Sequence, residues 1–202
     1  MTALEALAKL KEGNGRFVVN VRGIESIQST LRRAELAAVQ KPFAVVLGCS
    51  DSRVPAELVF DQGLGDLFVI RVAGNIVAPS QLGSIEFAVE RFGVSLVVVL
   101  GHSKCGAIDA TLDVVRAHPK ASASLSSIVE RIRPALEPLV DSNPNASRES
   151  LISAAVHANV LASVSHVRHG TAVIEDLVLA NKLTVVGAEY DLETGKVAFI
   201  DA

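Results

Sequence analysis

Phe43-Ala44-Val45-Val46-Leu47-Gly48-Cys49-Ser50-Asp51-Ser52-Arg53 is the stretch that decides the fold. Its first half is an unbroken apolar run, the pattern of a short strand buried on both faces of a parallel sheet. Its second half turns polar and carries a thiol, a carboxylate and a guanidinium at alternate positions. Working outward, the same kind of run recurs at Leu67-Phe68-Val69-Ile70-Arg71-Val72, at Leu96-Val97-Val98-Val99-Leu100-Gly101 and at Leu183-Thr184-Val185-Val186-Gly187. Helical spacing fills the gaps. Ile85, Ala88, Val89 and Phe92 fall at i, i+3, i+4 and i+7, and Leu125, Ile128, Val129, Ile132, Leu136 and Leu139 extend that spacing over several turns.

The ends follow the same logic. Leu4, Leu7, Leu10 and Phe17 predict an amphipathic helix over 3–18. Ser29, as N-cap, opens a second helix that ends near Gln40, before Lys41-Pro42. An alanine-rich segment predicts a helix over 148–168, and a shorter one covers 173–181. Asp141-Ser142-Asn143-Pro144-Asn145 reads as a loop inside the domain. Tyr190 to Val197 reads as a hairpin turning at Glu193–Gly195, with an edge strand over 196–201. Strands alternating with helices predict an α/β fold: a mostly parallel β-sheet flanked by helices, with an N-terminal helical arm (1–40) and a C-terminal edge hairpin, in one domain of 1–202.

Half of the 202 residues are hydrophobic and Trp is absent, so the core must be aliphatic. So apolar a chain, at this length, is expected to bury some of its surface between subunits. The net charge of −3, with no basic stripe, predicts no nucleic-acid partner. No run of 18 apolar residues is present, which predicts no membrane span. Met1-Thr2-Ala3-Leu4-Glu5 lacks the basic-then-apolar pattern of a secretory signal, so a cytoplasmic location is expected. Cys49 and Cys105 are the two cysteines. In a secreted chain they could form a disulfide, whereas in a cytosolic one they point to metal or catalysis.

Cys49 follows the first strand run and His102 follows the third, in Gly101-His102-Ser103-Lys104-Cys105-Gly106. Residues just past the carboxyl ends of such strands line the binding crevice, so the two side chains can converge across the sequence. A helix beginning after Cys105 would favour its thiolate. Two thiolates and an imidazole form a zinc shell with a fourth position open for chemistry. Two cysteines exclude a site of four, or of three plus His, within one chain. Asp51 is the nearest candidate for a fourth ligand, in a closed state. Arg53 can instead grip Asp51 through two parallel hydrogen bonds. Asp51 then stays ionised and accepts a hydrogen bond from zinc-bound hydroxide. Thiolates weaken zinc as a Lewis acid, so activity is expected to rise toward alkaline pH.

Blander readings stand beside these. Cys49 alone would be a small buried hydrophobe. Asp51 and Arg53 alone would be a structural ion pair. His118, His157, His166 and His169 fit solvated helix faces better than metal, and Lys104 reads as solvated.

Cys49-x-Asp51-x-Arg53 followed by His102-x-x-Cys105 resembles the zinc signature of the β-class carbonic anhydrases. Ser50, Ser52, Val54-Pro55-Ala56-Glu57, the run from Gly65 to Arg71, and Gly101-His102-Ser103 agree with it. The likeness is close over 41–110 and looser over 187–191. It implies zinc-dependent, reversible hydration of carbon dioxide to bicarbonate, and a homodimer or homotetramer whose N-terminal helices embrace a partner. It implies Gln40 as a substrate-side hydrogen-bond donor and Phe68 and Phe87 as an apolar wall, across the dimer interface. It also turns the backbone N–H of Gly106 toward substrate. Arg71 and Tyr190 resemble two positions of an inhibitory bicarbonate site whose Trp is here Val46, so that site is expected to be incomplete. An ion-pair partner and a sheet residue are equal readings of those two. Carbonyl sulfide or carbon disulfide would suit the same chemistry. A structural zinc or a Cys49–Cys105 thiol switch is the alternative of another class.

Overall fold

The computed structural model describes residues 1–21, 30–117 and 122–200. Its centre is a five-stranded sheet in the order β2-β1-β3-β4-β5. β1 (Ala44–Gly48), β2 (Leu67–Arg71), β3 (Leu96–His102) and β4 (Thr184–Tyr190) run parallel, and β5 (Val197–Ile200) closes the edge antiparallel to β4. Every residue of β1 and β3 is buried. That is why these strands are continuous apolar runs instead of alternating ones. β3 includes His102, so this residue ends the strand instead of following it.

Helices cover both faces. α1 (Ala3–Val18) and the single turn α3 (Ala56–Val59) pack on the face that carries Val46, Val98 and Tyr190. The opposite face receives α4 (Pro79–Phe92), α7 (Arg148–His169) and α8 (Ala172–Leu179). α5 (Gly106–Ala117) and α6 (Ala123–Ser142) cap the carboxyl ends of the strands with a third apolar cluster, which contains Cys49 and Cys105. α2 (Thr30–Ala38) precedes β1. Its expected N-cap, Ser29, lies outside the described residues, as do His118 and the end of the edge strand at Asp201. α6 runs on to Ser142, two residues into the expected loop.

Local chemistry accounts for α1. Thr2 and Glu5 form a capping box at its start. Leu10 is fully buried. Gly13 is required by close approach, since a Cβ there would meet the Phe60 carbonyl oxygen at 1.8 Å. Asn14 is buried, and it ties the helix to its own chain. Its amide nitrogen donates to the carbonyls of Val59 (3.1 Å) and Gly195 (2.9 Å), and its oxygen accepts the Val197 N–H (2.9 Å). Thus α1 is docked on the same chain's sheet. The hairpin is pinned in turn by Asp191, whose carboxylate accepts the N–H and hydroxyl of Thr194, both at 2.7 Å. Among the described residues, α7 alone is long and apolar enough to cross a membrane by length and composition. It is a core helix, burying Val160, Val164 and Val167 against the sheet and Val156 in the cluster around Cys49 and Cys105.

Candidate metal centre

The chain turns to one side of β1 to make β2 and to the other to make β3 and β4. Adjacent strands whose connections leave in opposite directions open a crevice at their carboxyl ends. Cys49, directly after β1, and His102, the last residue of β3, stand at that switch point. Cys105 precedes the first residue of α5. The two sulfurs and an imidazole nitrogen all lie within 4.8 Å of one another, and the three residues are buried.

The imidazole is set for a ligand. His102 Nδ1 lies 2.9 Å from the Ser103 carbonyl oxygen, so it carries the proton and leaves a lone pair on Nε2. Nε2 is buried and has no hydrogen-bond partner among the described residues. A buried acceptor left unpaired beside two sulfurs is costly unless a cation takes its lone pair. The donor set of two sulfurs and one nitrogen suits zinc. The hydrogen bond from Cys105 pushes the Cys49 thiol well down, helped by His102, the Gly74 N–H and the backbone of Asp51, while the Cys105 thiol is pushed up.

Arg53 holds Asp51 through Nε to Oδ1 at 2.9 Å and Nη2 to Oδ2 at 2.6 Å, and its own backbone N–H adds a third bond at 2.9 Å. That grip holds the Asp51 carboxyl far below the usual carboxylate range. Asp51 Oδ2 lies 3.8 Å from His102 Nε2, so the ionised carboxylate borders the space the three donors face. Both its oxygens are engaged by Arg53, which is the arrangement expected of an open site.

Arg71, at the end of β2, donates to the carbonyls of Cys49 (2.9 Å) and Asp51 (2.5 Å). It clamps the loop that carries the ligand and the carboxylate, a role the sequence reading did not give it. The register Gly48↔Arg71 is what puts it there. Tyr190 is buried against Phe17, with ring centroids 6.3 Å apart, and Val46 is buried in β1. Gly106 opens α5 with free space beside its Cα. A cleft of about 860 Å³ runs past it, lined also by Ser103, Glu189 and Tyr190.

The remaining expected substrate residues lie elsewhere in one copy. Gln40 and Phe87 line a cleft of about 1200 Å³ together with Phe43, Phe92 and Val94, beside the starts of β1 and β3. Five residues of strand, about 16 Å, separate those starts from the ligands. Phe68 joins Phe87 and Phe92 in a three-ring cluster at the β2 edge, with centroids 5.6–6.2 Å apart. Phe87 is 52% exposed there.

A parallel α/β sheet with two cysteine sulfurs and an imidazole gathered at its switch point has the donor set of a metalloenzyme. A family model described as carbonic anhydrase matches residues 44–197. Carbonic anhydrase 2 of Mycobacterium tuberculosis is 40% identical over 193 residues, covering 95% of this chain and 90% of that one. The carbonic anhydrase of Mycolicibacterium smegmatis is 43% identical over 188 residues, covering 93% and 88%. Among solved structures, a tetrameric β-carbonic anhydrase of Sordaria macrospora superposes with a TM-score of 0.76 at 25% identity, covering 84% of this chain and 86% of that one. The chain belongs to the carbonic anhydrase family, in its β class. It is an enzyme of reversible carbon dioxide hydration, and its cofactor is zinc.

Proposed function

We propose that Cys49, His102 and Cys105 hold the zinc, that Asp51 and Arg53 orient the attacking water, and that Gln40, Phe68 and Phe87 of a second copy complete the substrate pocket. Zinc supplies a Lewis acid that activates water for attack on carbon dioxide. Asp51, kept ionised by Arg53, accepts a hydrogen bond from that water and turns a lone pair toward the carbon. Arg53 balances the negative charge of the thiolates and the carboxylate. Gly106 sets a helix N-terminal N–H beside Cys105, where it suits the negative oxygen of bicarbonate. The observation that carries this reading is the 3.8 Å approach of Asp51 to an otherwise unpartnered His102 nitrogen.

The second copy is argued from distance. Gln40 and Phe87 stand at the far end of the strands from their own metal ligands, in a half-exposed aromatic cleft. A homodimer that faces this cleft with its partner's strand ends would bring them to substrate. A tetramer, as described for the Sordaria macrospora enzyme, would be a dimer of such dimers. We also read 1–202 as one domain with 1–40 as a helical arm, since α1 buries Ala6 and Leu10 against its own sheet. Two free cysteines suit the reducing cytoplasm.

Stopped-flow carbon dioxide hydration from about pH 6.5 to 9 tests the roles on zinc-replete protein. Asp51→Ala should keep its zinc and lose hydration by about two orders of magnitude or more. Unchanged hydration in that variant would remove Asp51 from the chemistry.

A further inference from the structure

Behind the metal group lies a chain of buried polar contacts that the roles above do not use. Asn159 and Ser163 are four residues apart on α7, hence on one face of it, and only 2% and 4% exposed. Asn159 Nδ2 donates to the Gly74 carbonyl at 2.8 Å, and Ser163 Oγ donates to the Asn75 carbonyl at 3.1 Å. Those carbonyls belong to a single 3-10 turn, Ala73–Asn75, that follows β2. In it Gly74 and Asn75 both take left-handed backbone conformations, with φ of +69° and +43°. For Asn75 that conformation persists only where its surroundings hold it. From this turn the Gly74 N–H donates to Cys49 Sγ at 3.3 Å, in a buried contact.

The helix that supplies both donors is itself indexed on the sheet. Val160, between Asn159 and Ser163, lies over the backbone of Gly101 and Gly187. Gly101 is the residue before His102. One helix therefore rests against the strand that carries the imidazole and holds the turn that faces the Cys49 sulfur.

We infer that Asn159 and Ser163 are positioning residues of the metal centre: by holding the Gly74 and Asn75 carbonyls they keep the Gly74 N–H aimed at the Cys49 sulfur. The inference rests on Cys49 being a zinc ligand. An N–H directed at a ligating thiolate draws charge from it and fixes its orientation, the usual work of groups that support a ligand. Here that offsets part of the electron donation by which two thiolates weaken zinc as a Lewis acid.

The test uses the full-length zinc enzyme and its cobalt(II)-substituted form. The variants are Ser163→Ala, Ser163→Thr and Asn159→Leu. Two readouts do not depend on activity: the sulfur-to-cobalt charge-transfer band, and the rate at which zinc passes to a chelating dye. Loss of the donor should move the band to longer wavelength and speed zinc loss about tenfold, while Ser163→Thr, which keeps the hydroxyl, behaves as the parent. Should Asn159→Leu not fold, the Ser163 pair decides alone. Variants that melt earlier but keep the parental band and the parental zinc loss would show a purely structural role and overturn the inference. A parent cobalt enzyme without a sulfur band would instead remove Cys49 as a ligand, and with it the reading on which this one stands.

Discussion

The side chain of Val160 occupies the space that a side chain at Gly101 would need: a Cβ on Gly101 would come within 2.4 Å of Val160 Cγ2. The neighbouring Val156 would be 3.5 Å away, so the site has little room to yield. Gly101→Ala should therefore destabilise the protein by about 1–3 kcal/mol, as overpacking of a close-packed core does. Gly83, within α4, has nothing within 4 Å of its missing side chain. Gly83→Ala should stabilise by about 0.4–1 kcal/mol through the unfolded chain. Chemical denaturation of the two variants beside the parent reads both signs, and equal effects would mean that the packing at Gly101 is looser than described.

Removing a ligand should remove the metal. Cys49→Ala and Cys105→Ala each leave two donors of the three, and zinc content after dialysis should fall well below one per chain while the parent keeps its ion. Zinc removal from the parent should also open both thiols to alkylation. Cys49 should react first, because its hydrogen bond from Cys105 favours its thiolate. Equal alkylation of the two sulfurs would contradict that order.

Subunit exchange tests the shared pocket. If Gln40 serves the partner's metal site, Gln40→Ala and Cys49→Ala homodimers are both impaired, yet a heterodimer holds one intact site. Random mixing makes half of the dimers mixed, so about a quarter of the parental site count should return. Gain of activity on mixing, read by hydration rate, is the expected result. No gain after verified exchange would return Gln40 to its own copy or to the role of a helix end.

The hairpin has its own pH dependence. The Asp191 carboxyl is lowered from the ordinary 3.8, first by the Thr194 hydroxyl and then by the backbone N–H groups of Thr194 and Glu193. A lowered folded-state value means that the folded protein holds its proton less tightly than the unfolded chain. The contribution is then complete above the unfolded value and is lost as pH falls through the folded one. The difference in melting temperature between the parent and Asp191→Ala should accordingly be constant near neutrality and shrink below about pH 4. A difference that persists unchanged into strong acid would show that the turn does not depend on the ionised carboxylate.

Much of this was legible beforehand, for identifiable reasons. β1 and β3 are covered on both faces, so burial wrote them as unbroken apolar runs, and their ends located Cys49 and His102. α6 was legible despite Pro134 and Pro138 because its apolar spacing continues through them. The turn at Gly74 and Asn75 was not, since its purpose depends on Asn159, 85 residues away, and its Gly-Asn pair reads alone as an ordinary turn. The clamp made by Arg71 was hidden for a similar reason: only strand register reveals that it faces the Cys49 loop. The α3 turn, four residues long, is too short to show a period. Gln40 and Phe87 were named by likeness, but likeness carries no distance, and one copy alone keeps them away from the ligands.

The contact between Tyr190 and Phe17 gives the protein an optical reporter of its own. With no Trp and a single Tyr in the chain, ultraviolet emission comes essentially from Tyr190. That ring stands at the end of β4, beside His102 in register, and packs against the last turn of α1. Undocking of the first helix, the loosening of the sheet and global unfolding should therefore all be seen through one native fluorophore, with no label added. Protein concentration, by the same token, is poorly measured from absorbance at 280 nm and is better taken from the peptide bond.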